Sequence, residues 1–183
     1  MSFSQDLADK AISYALSQGV DYCDARAEKQ TRVSVLIENG EIEHAREKSD
    51  NGVGLRILKN GAWGFFSITN PESYDKIKEA IEKTIKNTKY YSEKKKIKSK
   101  LAPIKINRIT KEFAVIVKPD LDSLIRIGLE CDKIISESAK IRKSIVSPWF
   151  TENSKYFASS EGSEILQNFS DVVVDMVAIA HQS

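Results

Sequence analysis

The chain has 183 residues, of which 41% are apolar, so it can bury a core in one large domain or two small ones. Its formal net charge of +2 is too small to require a polyanionic partner, and its two cysteines exclude a disulfide framework. No basic-then-apolar leader and no run of about 18 apolar residues occurs, so neither secretion nor a membrane span is predicted. These features favour a cytoplasmic protein.

The first predicted element is a helix over residues 4–18. Ser4 is a candidate N-cap, apolar residues fall on one side of the helix, and Gly19 stands where a glycine commonly ends one. Residues 21–29 alternate weakly between polar and apolar side chains, which predicts the first strand.

Two β-hairpins are predicted next, between residues 33 and 68. Asn39-Gly40 and Asn60-Gly61 each suit a two-residue type I′ turn, because both central residues of that turn need a positive φ. Four strands therefore follow one another in this stretch, the first beginning at residue 33 and the others covering 41–47, 52–59 and 62–68.

The two turns also set the expected pairing of side chains across each hairpin. In the first hairpin, Ile37 is expected opposite Ile42 and Val35 opposite His44. In the second, the expected pairs are Val53–Ile68, Leu55–Phe66, Arg56–Phe65 and Leu58–Trp63. Because apolar pairs occur on both faces of the second hairpin, we predict that it is central in a sheet covered by helices, with the first hairpin peripheral.

Two further helices and a second group of strands follow. Asn70 and Pro71 suit the N-cap and first position of a helix that fades near residues 90–91, and Pro119 begins a third helix that ends before residue 140. Strands are predicted at 141–152, 154–159, 163–168 and 171–180. The last of these is apolar on both faces and is expected to continue into further chain.

The predicted fold class is α+β, with antiparallel β-hairpins packed with three helices and followed by a second set of antiparallel strands. We expect residues 1–183 to form one domain with three parts. Residues 1–91 contain the helix, the hairpins and the second helix, residues 92–111 form an exposed basic connection, and residues 112–183 contain a helix plus antiparallel strands. The pattern leaves open whether the two strand groups join one sheet.

The residues that could bind a metal form no recognised motif. The two histidines of the sequence, His44 and His181, lie in no H-E-x-x-H or H-x-H pattern. On a strand, Glu41 and Glu43 point to one face and His44 to the other, so they cannot converge on one ion. We therefore predict no metal site within this chain.

The candidate nucleophiles also lack partners in the sequence. Cys23 and Cys131 have no histidine nearby, and the serines around Gly162 do not form G-x-S-x-G. No Walker A pattern occurs, and the glycines at 52 and 54 are followed by a strand and not by a helix. No catalytic residue is predicted.

A lysine-rich stretch after the second helix is the candidate site for nucleic acid. Two tyrosines precede it, and cations beside aromatic rings can bind single strands. The alternative is a solvated linker, which the balanced overall charge favours, so nucleic acid is not expected as a partner. The candidate residues are Lys94, Lys95, Lys96, Lys98 and Lys100.

An ordered set of short motifs resembles the N-terminal domain of the TldD/PmbA family. The set comprises an ENG turn, a GxGxR strand, an xGxWGF strand and a later SxG turn, and the resemblance covers essentially the whole chain. We expect these positions to be structural. The residues that carry the motifs are Glu38, Asn39, Gly40, Gly52, Gly54, Arg56, Gly61, Trp63, Gly64, Phe65 and Gly162.

The resemblance implies a cytoplasmic zinc metallopeptidase, or its non-catalytic partner, that forms dimers or heterodimers and is linked by name to modulation of DNA gyrase. The family's catalytic motif, H-E-x-x-x-H, follows the part matched here and is absent from this sequence, so no zinc or catalytic residue can be transferred.

The expected function is therefore that of an N-terminal domain, which contributes dimerisation and guides an unfolded peptide substrate. It is expected to be inactive alone, with zinc held by the catalytic part that this chain lacks. One alternative is a stand-alone interaction module that binds a full-length homologue. A further alternative is nucleic-acid binding through residues 94–100.

Overall fold

The computed structural model describes residues 3–94, 96, 98–113 and 118–181. Within them it contains three helices and a six-stranded sheet, so the predicted α+β class is confirmed. The helices are α1 (Phe3–Ser17), α2 (Tyr74–Lys94) and α3 (Leu121–Ser136). The strands are β1 (Tyr22–Glu38), β2 (Glu41–Lys59), β3 (Ala62–Thr69), β4 (Arg108–Phe113), β5 (Ile141–Ser159) and β6 (Glu164–Ala180). Their order in the sheet is β3-β2-β1-β5-β6-β4.

The strands are fewer and longer than the sequence predicts. β2 runs without a break from one Asn-Gly turn to the other, so the two hairpins share it, and β1, β5 and β6 each join two predicted strands. The breaks were predicted where polar residues interrupt the alternation, as at 48–51, where residues 48 and 49 are exposed. The prediction was wrong because side-chain alternation reports burial on one face, whereas a strand can extend past its cover on backbone hydrogen bonds alone.

Both predicted turns are present. The φ angles are 50° and 82° at Asn39 and Gly40, and 51° and 75° at Asn60 and Gly61. The four predicted pairs of the second hairpin are confirmed, from Val53 opposite Ile68 to Leu58 opposite Trp63. The pairing of the first hairpin stays a prediction.

The central position predicted for the second hairpin is wrong, because β3 lies at one end of the strand order. One face of β3 packs against α2, but Trp63 and Phe65 on the other face are 38% and 66% exposed. The apolar pairs on that face are therefore a partly exposed aromatic surface and not a second core.

Two of the predicted helix starts are also wrong. Ser4 lies within α1, and Asn70 precedes α2 as part of a strand end. The Asn70 N–H donates to the Asn51 carbonyl at 2.6 Å, and the Asn51 N–H donates to Asn70 Oδ1 at 2.8 Å. Asn70, with φ of 47°, thereby closes the open end of the β2–β3 ladder.

The third helix begins close to its predicted start, but its cap is Asp120 and not Pro119. The Asp120 carboxylate accepts a hydrogen bond from the Ser123 N–H at 2.8 Å, which lowers the pKa of that carboxyl. The last residues of the predicted basic connection, 108–111, belong to β4, while 101–106 are exposed.

The described residues divide into two compact units, each assembled from three stretches of chain. The first unit comprises Met1–Lys29, Asp50–Glu112 and Ser154–Asn168, and the second comprises Gln30–Ser49, Phe113–Asn153 and Phe169–Ser183. In the first unit α1 and α2 pack on one face of the sheet around Leu55, Ile57, Ile77 and Ile81. In the second unit α3 packs on strand residues that include Ile37, Val146 and Phe150.

Candidate functional site

The first unit leaves one face of its sheet without a helix among the described residues. Successive residues of a strand point to opposite faces. Cys23 and Ala25 of β1 pack in the core beneath α1 and α2, so Tyr22, Asp24 and Arg26 lie on the other face. We call that second face of the first unit the open face.

A buried carboxylate on the open face holds two arginines. Asp24 is 0% exposed, and its Oδ1 accepts a hydrogen bond from Arg26 Nη1 at 2.7 Å. Its Oδ2 accepts from Arg56 at two points, Nε at 2.9 Å and Nη2 at 2.7 Å. Because an unpaired buried carboxylate costs several kcal/mol, these ion pairs are a condition for burying Asp24. We call Asp24, Arg26 and Arg56 the arginine cluster.

Aromatic rings hold both guanidinium groups of the arginine cluster in place. The Arg56 guanidinium lies 4.8 Å from the centre of the Trp63 ring, and that ring meets Tyr22 edge-on at 5.8 Å. The Arg26 guanidinium lies 5.0 Å from the centre of the Phe157 ring. Cation–π contacts of this kind fix the direction of a long side chain, so both arginines are preorganised.

A groove of about 650 Å³ crosses the open face next to the arginine cluster. Residues of β3, β2, β1, β5 and β6 line it, and Gly52 and Gly54 lie along its β2 section. A Cβ at Gly52 would lie 2.9 Å from the Ile68 carbonyl oxygen, so no side chain fits there. Its charged residues are Arg26 and the ion pair of Lys155 with Glu28, whose Nζ and Oε1 are 3.1 Å apart.

Residues 23–88, which contain most of these features, match the family model described as PmbA/TldA metallopeptidase domain 1. Over these residues the chain resembles the TldD/PmbA family. A metalloprotease of Methanothermobacter thermautotrophicus is 30% identical over 78 residues, which are 43% of this chain and 16% of that protein. A metalloprotease of Methanocaldococcus jannaschii is 27% identical over 171 residues, covering 89% of this chain and 36% of that protein.

Solved structures share the fold. A proposed modulator of DNA gyrase from Bacteroides thetaiotaomicron gives a TM-score of 0.73 at 18% identity, covering 99% of this chain and 42% of that one. TldE from Thermococcus kodakarensis gives a TM-score of 0.63 at 16% identity, covering 94% and 43%. The TldD/PmbA fold seen here thus spans less than half the length of each of these relatives.

Seven of the eleven motif residues fall into two groups. Asn39, Gly40, Gly61 and Gly162 adopt positive φ angles at turns. Arg56, Trp63 and Phe65 lie on the open face, where Arg56 and Trp63 are in contact. The sequence analysis treated all of them as structural and did not single out Asp24 or Arg26. The signal that could have identified Asp24 was an ionisable residue between two small apolar residues, Cys23 and Ala25, which the structure shows to be buried.

The lysines considered for nucleic acid do not form a cluster among the described residues. Lys94 Nζ lies 4.2 Å from the centre of the Tyr90 ring, and Lys98 Nζ donates to the Ser92 carbonyl at the end of α2. Lys96 and Lys100 are exposed, and Lys95 lies outside the described residues. Nucleic-acid binding through this stretch stays a prediction.

The described part of this chain holds no group of side chains arranged to bind a metal ion. No group of three or more His, Cys, Asp or Glu side chains there could hold an ion. His44 is half-buried on β2, Cys131 is half-buried on α3, and His181 is exposed beyond β6. None of the helices in residues 3–94, 96, 98–113 and 118–181 is long and apolar enough to cross a membrane.

The ionisable groups around Asp24 keep their charge states near neutral pH. Burial, reinforced by the Asp24 carboxylate, raises the pKa of Tyr22 to about 12 and that of the Cys23 thiol to about 12. The hydrogen bond to Asp24 raises the pKa of Arg56. Tyr22 and Cys23 therefore stay protonated, and Arg56 stays charged, near neutral pH.

Stability is expected to fall as pH rises from about 9 to 12. Burial raises the pKa values of Tyr22, Cys23 and Tyr156 to about 12 from ordinary values of 10.0, 9.0 and 10.0. The unfolded chain then releases these protons first, so the folded chain binds more protons and its free energy of unfolding falls with pH. Thermal melts across this range measure the effect. Tyr22→Phe should make the slope shallower, and a constant Tm would contradict the assignment.

Proposed function

We propose that this chain is the N-terminal domain of a TldD/PmbA-type zinc-dependent peptidase, which guides an unfolded peptide substrate and contributes to dimerisation without cutting the peptide itself. The observation that carries the proposal is the position of β3 at one end of the sheet, beside the open face and its groove. An extended peptide can add to such an edge as a further strand.

The backbone of β3 offers a regular row of groups for pairing. Lys59 and Ala62 flank a two-residue turn and form a hydrogen-bonded pair, so alternate residues of β3 bond to β2. The remaining residues direct their N–H and C=O groups away from β2. They are Trp63, Phe65, Ser67 and Thr69, and no strand in the described part of the chain pairs with them there.

The connection that follows α2 contacts the turn before β3 and leaves the outward backbone groups of the later β3 residues accessible. The Ser99 N–H donates to the Gly61 carbonyl at 2.8 Å, which brings the connection after α2 to the turn that precedes β3. Trp63 and Phe65 are 38% and 66% exposed, which leaves their rings available to the side chains of a docked peptide. Ser67 and Thr69 also line the groove, so a peptide on this edge passes along the groove's end.

The contribution to dimerisation is supported by apolar side chains of β6 in the second unit. Val172, Met176, Val177 and Ile179 are between 44% and 56% exposed. These side chains lie on both faces of β6, two on each. Exposed apolar residues in such number commonly mark an interaction site, and we propose a TldD/PmbA-type chain as the partner. Sedimentation of the chain, alone and mixed with a TldD/PmbA relative, tests this: monomers in both samples would contradict it.

The non-catalytic role is supported by the two histidines of the sequence, which lie far apart in the chain and in no H-E-x-x-x-H motif. Zinc-dependent peptidases need converging ligands and a glutamate that activates water. Incubation of the purified chain with zinc and unfolded casein is expected to give no cleavage above background. Cleavage that a chelator abolishes would overturn this part of the proposal.

Replacing Ser67 with proline is expected to weaken peptide binding about fivefold, because it removes one outward N–H donor from the β3 edge. The ladder to β2 keeps its hydrogen bonds, since Ser67 lies at a position that does not bond to β2. Fluorescence anisotropy with a labelled, proline-free unfolded peptide measures the affinity. The matched control is Ser67→Ala, which keeps the N–H; equal affinities of the two variants would argue against docking at this edge.

A further inference from the structure

We propose that the arginine cluster binds a carboxylate of the guided peptide, either its C-terminal carboxylate or a Glu or Asp side chain. The inference rests on the proposed peptide-guiding function and adds a substrate preference to it. It depends on three features of the open face: unused donors, exposed positive charge and a groove beside them.

The hydrogen bonds to Asp24 leave part of the arginine cluster's donors unused. Arg26 donates to Asp24 through Nη1 alone, so its Nε and Nη2 have no acceptor among the described residues. Arg56 commits Nε and Nη2 to Asp24 and also interacts with the Tyr22 hydroxyl, so the unused donors are chiefly those of Arg26. A guanidinium presents parallel N–H donors that match the two oxygens of a carboxylate.

The positive charge of the cluster lies nearer to solvent than its negative charge. The side chains of Arg26 and Arg56 are 60% and 45% exposed, whereas that of Asp24 is 0% exposed. One buried carboxylate thus balances only one of two guanidinium groups. An incoming anion meets the uncompensated positive charge first, with the desolvated carboxylate behind it.

The neighbouring charges of the groove do not cancel this excess. Glu28, the carboxylate in the lining of the groove, forms an ion pair with Lys155 at 3.1 Å. Arg26 therefore remains available, and Phe157 supports it from one side at 5.0 Å. The groove of about 650 Å³ beside it has room for the residue that bears the carboxylate.

The geometry favours a peptide carboxylate because the peptide edge and the cluster share strands. Arg56 of β2 lies directly opposite Phe65 of β3, and Phe65 belongs to the outward row of the β3 edge. A peptide strand added to the edge of β3 would lie beyond Phe65, so only β3 would separate it from Arg56 on β2. Strands lie about 4.8 Å apart, so an acidic side chain can reach towards Arg56. A chain end that turns into the groove beside Ser67 and Thr69 can reach Arg26, which lines the same groove.

Peptide pairs that differ in one carboxylate test the inference by fluorescence anisotropy on the full chain. One pair has a free or an amidated C-terminus, and the other has an internal Glu or Gln. We expect the carboxylate form of one pair to bind about fivefold more tightly, and that pair identifies the source. The preference should shrink at high salt, because the site is partly exposed.

Arg26→Gln is the decisive variant, because Arg56 still holds Asp24 and the fold is retained. It should bind the neutral peptides as the unmodified chain does and lose the preference for the carboxylate. Lys76→Gln removes an equal charge from the exposed surface of α2 and should keep the preference.

Equal affinity for acidic and neutral peptides would overturn the carboxylate site while leaving peptide guidance intact. A preference that survives Arg26→Gln would also overturn it. Failure of every peptide to bind would instead contradict the proposed function, and the inference with it.

Discussion

Replacing Arg56 with alanine is expected to lower the free energy of unfolding by about 3 kcal/mol, because it leaves the Asp24 carboxylate buried with two of its three arginine hydrogen bonds lost. Asp24 is 0% exposed, and Arg56 supplies two of the three donors that its oxygens accept. Urea unfolding followed by circular dichroism measures the change.

The matched control is Arg26→Ala, which removes the other arginine of the cluster. Arg26 supplies one donor and its side chain is 60% exposed, so we expect a loss of about 1 kcal/mol. Adding Asp24→Ala to Arg56→Ala should recover part of the stability, since no buried charge then remains unpaired. If Arg56→Ala cost no more than Arg26→Ala, the account of the cluster would be wrong.

Replacing Gly64 with alanine is expected to cost about 2 kcal/mol, because the new methyl group would occupy space that α2 already fills. A Cβ at Gly64 would lie 1.9 Å from Thr88 Oγ1 and 3.0 Å from Thr84 Cγ2. Thr88 is 2% exposed and its hydroxyl donates to the Thr84 carbonyl at 2.7 Å, so it cannot turn away without losing that bond. Thermal melting of the variant measures the loss.

Gly54→Ala is the control for the general effect of adding a methyl group to a strand glycine. A Cβ there would lie 3.6 Å from the Phe65 ring, an ordinary contact, so the stability should change by less than about 0.5 kcal/mol. Thr88→Ala removes the atom nearest to the new methyl and should partly rescue Gly64→Ala. A Gly64→Ala variant as stable as Gly54→Ala would show that α2 does not pack closely on β3.

Local chemistry in the sequence was enough to predict the hairpins. Asn39-Gly40 and Asn60-Gly61 adopt the positive φ angles that a two-residue turn needs. The second turn also determines the pairing of β2 with β3, because a hairpin register follows from the length of its loop. These features depend only on residues close together in the chain.

Features that depend on distant residues could not be predicted in the same way. The place of β3 at the end of the sheet depends on β5 and β6 pairing on the other side of β1, far along the chain. Asn70 looked like a helix cap because its bonding partner, Asn51, is identified only once β2 and β3 are paired. Polar stretches within the long strands were predicted as breaks because the strands that pair with them are also identified only from the fold.

The candidate site shows the same division between local and distant information. Arg56 and Trp63 were noted as family motif residues, yet the contacts of Arg56 with Asp24 and of Trp63 with Tyr22 require three neighbouring strands to be aligned. An ion pair at Asp24 could have been predicted, since a carboxylate on a strand with apolar neighbours needs a cationic partner when it is buried. The sequence could not identify which arginine would supply it.

Hydrogen–deuterium exchange of the chain, with and without an unfolded peptide, tests the central claim most directly. If the peptide adds to the edge of β3, exchange should slow at the outward amides of Trp63, Phe65, Ser67 and Thr69, while amides already bonded within the β2–β3 ladder change little. The same experiment with Ser67→Pro should show a weaker effect. A peptide that binds without protecting these amides, or protects only residues away from β3, would contradict the account.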